Sequence, residues 1–236
     1  MADRFNETVP SYADLTAFQT RLAAVSGHDD ERIDQGYERL KEMGFYWVVV
    51  RVKAQLFRQP EPHGTLRIET WAKPPETAAI ERCYEINDAA GRLAVARMKW
   101  VLVRVSDGHP VRLRMIPGLL EARTFSAEDT LADGYAPVHD FTDVPAVTLL
   151  VDPGGIDRNS HLNNAHFWRI VTTGARLAGM MPPMIGVCEI AYLKPLYASE
   201  TVRVYYQNSG SSIEFSGRVK RDDDWIVAFA GGYSRQ

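Results

Sequence analysis

The stretch "AAIERCYEIN" (78–87) returns 133 residues later in "SSIEFSGRVKRD" (211–222), where Ile80-Glu81 becomes Ile213-Glu214. At the same offset, with no gap, Leu93 meets Ile226 and Trp100 meets Tyr233. Both stretches are rich in β-branched and aromatic residues and read as strands. Outward from the first copy lie "FYWVVVRVKAQLF" (45–57), "TLRIETWA" (65–72) and "RLAVARMKWVLVRV" (92–105), with turns at "PEPHG" and "NDAAG". Around the second lie "GVCEIAYLKPL", "ETVRVYYQN" and "DWIVAFAGGYS". Each set of four strands follows a helical stretch. In the first half this is "DLTAFQTRLAAVSG" (14–27), capped by Asp14 and stopped at Gly27; in the second it is "NNAHFWRIVTTGARLAG" (163–179). The offset is 143 for Asp14 and Asp157 and 135 for Phe57-x-x-Pro60 and Tyr192-x-x-Pro195. It shrinks because only the first half carries an extra helical stretch at 30–44. A helix and an antiparallel run, made twice, imply a duplicated α+β unit. One such unit is small and leaves a sheet edge open, and pairing two remedies both.

The halves are expected at 1–120 and 147–236. The weakly patterned 121–146 connects them and, with the residues from Asp107 onward, carries at most a short helix. The apolar and charged fractions, 45% and 24%, are those of an ordinary globular chain. A net charge of −3 gives no reason to expect nucleic acid. No apolar run approaches the ~20 residues needed to span a bilayer, so no membrane association is expected. The start of the chain lacks the pattern of a signal or transit peptide. The two cysteines, Cys83 and Cys188, suit a reducing compartment. The expected location is the cytoplasm.

The loop "GGIDRNSHLNNAHFW" (154–168) concentrates polar groups at the mouth of the second helix. Helix capping accounts for one or two of them. It leaves most of Asp157, Asn159, His161, Asn163 and Asn164 without a reason. At the 143 offset the first half keeps an aspartate, but places Thr16 opposite Asn159, Phe18 opposite His161 and Arg21 opposite Asn164. Both helices need caps and only one carries the polar set, which argues for a single functional site in the second half. The residue types suit hydrolysis: a histidine or carboxylate activates water, asparagine holds a carbonyl or water in register, and helix N–H groups receive an oxyanion. His161 and His166 are five apart, about 140° around a helix, so they share no face for a metal. There is no G-x-S-x-G elbow and no Gly-rich phosphate loop. No cofactor is expected.

The string "DRNSHLNN" (157–164) resembles the D-x-N-x-H-x-N-N signature of the plant and bacterial acyl-ACP thioesterases. The likeness continues in order through "WVVVRV" (47–52), "IETWA" (68–72), "RMKWVLV" (97–103), "RLRMIP" (112–117) and "YLKP" (192–195), and is weakest at about 121–146. It implies a double hotdog fold, two helix-wrapped antiparallel sheets in tandem forming a pseudo-dimer. It also implies hydrolysis of the thioester between a fatty acyl chain and acyl carrier protein. By this resemblance Asp157 is the catalytic carboxylate, as nucleophile or base, and Asn159 and His161 position it and polarise the thioester or water. Asn163 and Asn164 contact substrate. The acyl chain lies in a tunnel lined by the first half, where Trp47 and Trp71 are candidates on the 45–57 and 65–72 strands.

One departure stands out. Plant members carry a glutamate-cysteine pair where this chain has Pro195 and Leu196. Glu189 lies six residues upstream, ~20 Å along a strand at ~3.3 Å per residue, and cannot replace it. Cys188 fails the same test. Acyl carrier protein is acidic, and Arg104, Arg112, Arg114 and Arg123 would form a docking patch if they share a face; otherwise they are a solvated rim. Three other readings stay open: an acyl-CoA thioesterase, a hotdog dehydratase or hydratase, and a non-catalytic acyl-binding protein. The hydratase signature spaces its histidine three residues from the asparagine, against two here. A homodimer of the fused halves is also open.

Overall fold

The computed structural model describes residues 4–144, 146–182 and 185–235. Two units divide the chain: Met1–Ala13 with Phe18–Gly134, and Asp14–Ala17 with Tyr135–Gln236. The first contains β1 (Phe5–Pro10), α1 (Leu15–Arg32, whose first turn groups with the second unit), α2 (Tyr37–Glu42), β2 (Phe45–Leu56), β3 (Thr65–Ala72), β4 (Ala79–Asp88) and β5 (Gly91–Arg104). The second contains β6 (Ala146–Leu150), α3 (Phe167–Leu177), β7 (Gly186–Tyr192), β8 (Thr201–Asn208), β9 (Ser212–Arg221) and β10 (Asp224–Ser234). Among the described residues each unit therefore has five strands, one more than the sequence pattern suggests. The extra strands are β1 and β6, short edge strands whose burial alternates between half-buried and exposed. β1 is half polar, and β6, though apolar in sequence, is a five-residue strand with alternate side chains exposed, so neither shows the long period-2 pattern of the inner strands.

Strand order is β1-β3-β4-β5-β2 in the first unit and β6-β8-β9-β10-β7 in the second, the same antiparallel topology twice. The ladders set the correspondence. Tyr84 pairs with Ala96 as Gly217 pairs with Phe229, which keeps the offset of 133. Thr70 and Val204 take equivalent places beside them, 134 apart, and Phe5 and Val147 beside those, 142 apart. Ala54 and Tyr192 occupy the same place against β5 and β10, so the offset there is 138, not the 135 of the tyrosine-proline match.

The helices correspond at 149. Asp14 accepts the Ala17 N–H at 2.8 Å, and Asn163 accepts the Ala165 N–H at 3.0 Å. Phe18, Gln19, Leu22, Val25 and Ser26 are buried on α1, as are Phe167, Trp168, Val171, Gly174 and Ala175 at the matching positions. The offset of 143 is thus corrected. Asp157 is not the counterpart of the cap Asp14, and Phe18 is the counterpart of Phe167 rather than His161. The step from 142 to 149 means that the second unit carries seven more residues between its edge strand and its helix. They fall in the polar loop.

Gly27 does not stop α1, which runs on to Arg32. A mid-helix glycine costs ~1 kcal/mol, and tertiary contacts outweigh it. The Ser26 hydroxyl shares a 2.6 Å hydrogen bond with Tyr84, and Asp29 and Asp30 both pair with the buried Arg82. Burial pushes the Tyr84 phenol up to about 12, so it stays neutral. The helix ends beyond these anchors, near Asp34 with φ of +57°.

In the second unit α3 lays Phe167 and Trp168 on β7, β9 and β10. Phe167 meets Tyr192 and Phe229 edge-on at 5.1 and 5.3 Å, and Trp168 meets Phe215 and Tyr233 at 6.2 and 5.7 Å. Gly174 has no side chain because the Tyr206 phenol fills that space on its way to the Val171 carbonyl, 2.7 Å away.

The connecting chain crosses the sheet faces turned away from the helices. On the first unit Asp129 pairs with Lys73 and Arg97, both at 2.5 Å, and the Glu128 carbonyl accepts the Trp71 indole N–H at 3.0 Å. On the second, Asp140 pairs with Arg218 and accepts from Ser216 at 3.0 Å, while the buried Glu189 takes the Ala136 N–H at 2.9 Å. No helix among the described residues is long and apolar enough to cross a membrane.

Candidate active site

The extra residues of the second unit fold as a small hairpin. Ile156 and Leu162 form an isolated antiparallel bridge, and the Asp157 N–H bonds to the His161 carbonyl at 2.9 Å. Ser160 closes the tip with φ of +64°, its N–H 3.0 Å from the Asp157 carbonyl. The far side of the hairpin is tied down by the Leu162 N–H, 2.7 Å from the Leu196 carbonyl. Leu196 itself is fully buried. Leu196 thus anchors the loop through its backbone.

This geometry puts the Asp157 and His161 side chains face to face, Oδ1 to Nδ1, at 3.8 Å. Both remain about one-fifth exposed, at 22% and 23%. Asp157 Oδ1 also accepts the Asn159 N–H at 2.7 Å, so a backbone amide holds the carboxylate toward the histidine. A carboxylate so held beside an imidazole, both open to solvent, can take a proton from water or attack a carbonyl carbon.

Asn163 spends its side-chain oxygen on the Ala165 N–H, and its own carbonyl accepts the His166 N–H at 2.8 Å. The start of this helix is a 3-10 turn, Asn164–His166, with those two donors already engaged. It is not the open array of N–H groups expected for an oxyanion. Asn164 follows the cap, half-buried.

Trp47 packs, half-buried, against the cluster of Leu40, Leu102, Leu113 and Ile116. Trp71 is buried against the connecting chain, with the Arg4 guanidinium 4.1 Å over its ring. Of the four arginines proposed as a patch, Arg123 is turned inward, pairing with Asp30 at 2.8 Å and with Gln35. Arg104 pairs with Asp107 at 2.5 Å. Arg112 and Arg114 are exposed and make no ion pair among the described residues. They flank Leu113, which is fully buried, and beside them Met115 is 71% exposed. His166, which sequence reasoning set aside once a metal was excluded, packs its ring against Gly155 at the hairpin's foot.

Residues 7–114 match the family profile of the acyl-ACP thioesterase N-terminal domain. That segment, just under half of the chain, is similar in sequence to acyl-ACP thioesterases. The thioesterase fold continues through the second unit. An acyl-ACP thioesterase from Bacteroides thetaiotaomicron superposes with a TM-score of 0.83 at 16% identity, covering 98% of this chain and 97% of its own. The 12:0-ACP thioesterase from Umbellularia californica also gives 0.83, at 15% identity, covering 98% and 96%. The architecture is the double hotdog. No curated protein matches by sequence.

Proposed function

We propose that Asp157, Asn159 and His161 are the residues through which this acyl-ACP thioesterase hydrolyses its fatty acyl thioester, releasing free fatty acid and the carrier thiol. One observation carries the reading: the seven residues that distinguish the second unit from the first bring Asp157 and His161 together at 3.8 Å. Asp157 acts as general base or nucleophile on the thioester carbonyl. His161 polarises water or protonates the departing sulfur, and the Asn159 N–H holds the carboxylate in place. Asn163 shapes the site by capping the helix, with Asn164 beside it.

The carrier is acyl carrier protein, an acidic partner, and the unpaired Arg112 and Arg114 beside Met115 suit it. The buried thiols of Cys83 and Cys188, neither in a disulfide, suit a reducing cytoplasm. Pro195 and Leu196 favour one second reading, a non-catalytic acyl binder, because neither side chain can ionise. Thiol release from C4 to C18 acyl-ACP and acyl-CoA, with Asp157→Ala as control, decides between the two. Release that disappears in the variant supports hydrolysis at this site. Acyl binding without release from any substrate supports the binder.

A further inference from the structure

We infer that His166 is a positioning residue for the thioesterase site, its ring acting as the spacer that sets the Asp157–His161 hairpin on the helix. The inference rests on the proposed hydrolysis. It begins with Gly155, whose φ is not positive, so the backbone does not demand glycine there. What demands it is the His166 ring, with the Leu162 side chain beside it. A Cβ at 155 would lie 2.7 Å from His166 Nδ1, 3.2 Å from its Cγ and 2.8 Å from Leu162 Cδ1. Real Cβ atoms do not approach so closely, and the imidazole occupies the space a side chain would take.

The contact closes a circuit around the site. The Gly155 carbonyl accepts the Asn163 N–H at 2.9 Å, and the Asn163 carbonyl accepts the His166 N–H at 2.8 Å. The His166 ring then returns to Gly155. Asp157, Asn159 and His161 all lie within the span this circuit closes. Outside it, Asp152 accepts the Gly154 N–H at 2.9 Å and pairs with Arg169 on α3 at 3.2 Å, which holds the incoming chain. The ring supplies side-chain bulk at the point where the circuit closes, together with Leu162, so its size helps set how far the hairpin stands from the helix.

The ring's Nδ1 is buried and has no hydrogen-bond partner among the described residues. It lies against the glycine, so this contact works through shape. A phenyl ring would fill the same space without burying an unpaired nitrogen. The spacer role therefore predicts that Phe replaces His166 and that Ala does not.

Misplacing a catalytic group by ~1 Å can lower turnover by about 10²-fold. The test measures kcat, KM and thermal unfolding for the full chain with acyl-ACP. It compares wild type, His166→Ala, His166→Phe, Gly155→Ala and the double variant Gly155→Ala/His166→Ala. The expected result is a kcat loss of tenfold or more in His166→Ala and Gly155→Ala, with KM within twofold. His166→Phe keeps near wild-type kcat, and the double variant regains at least part of what Gly155→Ala lost. Losses of kcat that only track a lower unfolding temperature would make His166 ordinary packing and overturn the inference. So would an inactive His166→Phe. A wild-type chain that releases no thiol overturns the hydrolytic reading and this inference with it, whereas an active wild type with five equal kcat values overturns the spacer alone.

Discussion

Phe18 and Phe167 occupy the same position on the two helices, each four residues past its cap, Asp14 and Asn163. Both are buried, at 3% and 1% exposure. Phe18 packs edge-on against Tyr12, with ring centres 4.9 Å apart, while Phe167 sits between Tyr192 and Phe229. Truncating either to alanine opens a cavity under its helix and is expected to cost ~3–5 kcal/mol. Urea unfolding followed by circular dichroism measures it. Phe18→Ala should lose stability while turnover by the remaining folded fraction changes little.

Asp157→Asn and His161→Ala should each lower kcat by about 10²–10⁴-fold, the usual worth of a positioned acid or base. Both side chains sit in a loop and are partly exposed, so the unfolding temperature should move little. The two roles open to Asp157 separate in a single turnover in ¹⁸O-labelled water. Label found in Asp157 marks attack by the carboxylate followed by water opening the acyl anhydride at the aspartyl carbon, whereas base catalysis labels only the released fatty acid. Mass spectrometry of the peptide containing residue 157 reads the difference.

Arg112→Glu/Arg114→Glu should raise KM for acyl-ACP by tenfold or more and leave acyl-CoA hydrolysis nearly unchanged. The reason is geometric. Leu113 is fully buried and Ile116 nearly so, which fixes a 3-10 turn with both guanidinium groups and Met115 on its outer side. Two arginines without ion-pair partners among the described residues give up little when an acidic protein binds them. Raising the salt concentration should weaken the wild type toward the variant. Equal effects on both substrates would remove this turn from carrier docking.

The connecting chain should loosen in acid. Burial opposes the charge on Asp129, but the hydrogen bond from Lys73, the Leu131 N–H and the charge of Arg97 outweigh it and hold the carboxyl below its ordinary 3.8. A carboxylate with a lowered native value stabilises the fold above 3.8, and that contribution is lost as the pH falls through the native value. Trp71, whose indole donates to the Glu128 carbonyl, is placed to report it. Its fluorescence should shift below about pH 4 in wild type, a value near the free carboxyl range. Asp129→Asn should show the released signal at neutral pH.

The central strands were legible because their apolar residues recur at strand period and recur again in the second copy. β3 runs Thr65–Ala72, the bounds its pattern suggests. The edge strands β1 and β6 were not, since half their residues face water. Gly27 misled because local propensity says nothing of Arg82, which ties Asp29 and Asp30 across 53 and 52 residues of sequence. The hairpin's polar residues were visible as a group. Their arrangement was not, because it depends on which asparagine caps the helix. Taking Asp157 for the cap shifted the helix by six residues and set His161 against Phe18. The Leu162–Leu196 tie and the Gly155–His166 contact had no signal in spacing at all, apart from an unexplained glycine pair.

The hairpin is also separable in principle from what it serves. β6 and α3 take the places that β1 and α1 take without any such loop, so the sheet and helix do not depend on it for their own assembly. Excising seven residues there should leave two matched halves that fold and do no chemistry. Transplanting the loop between β1 and α1, with glycine and histidine at its foot, would ask whether an idle half can be put to work.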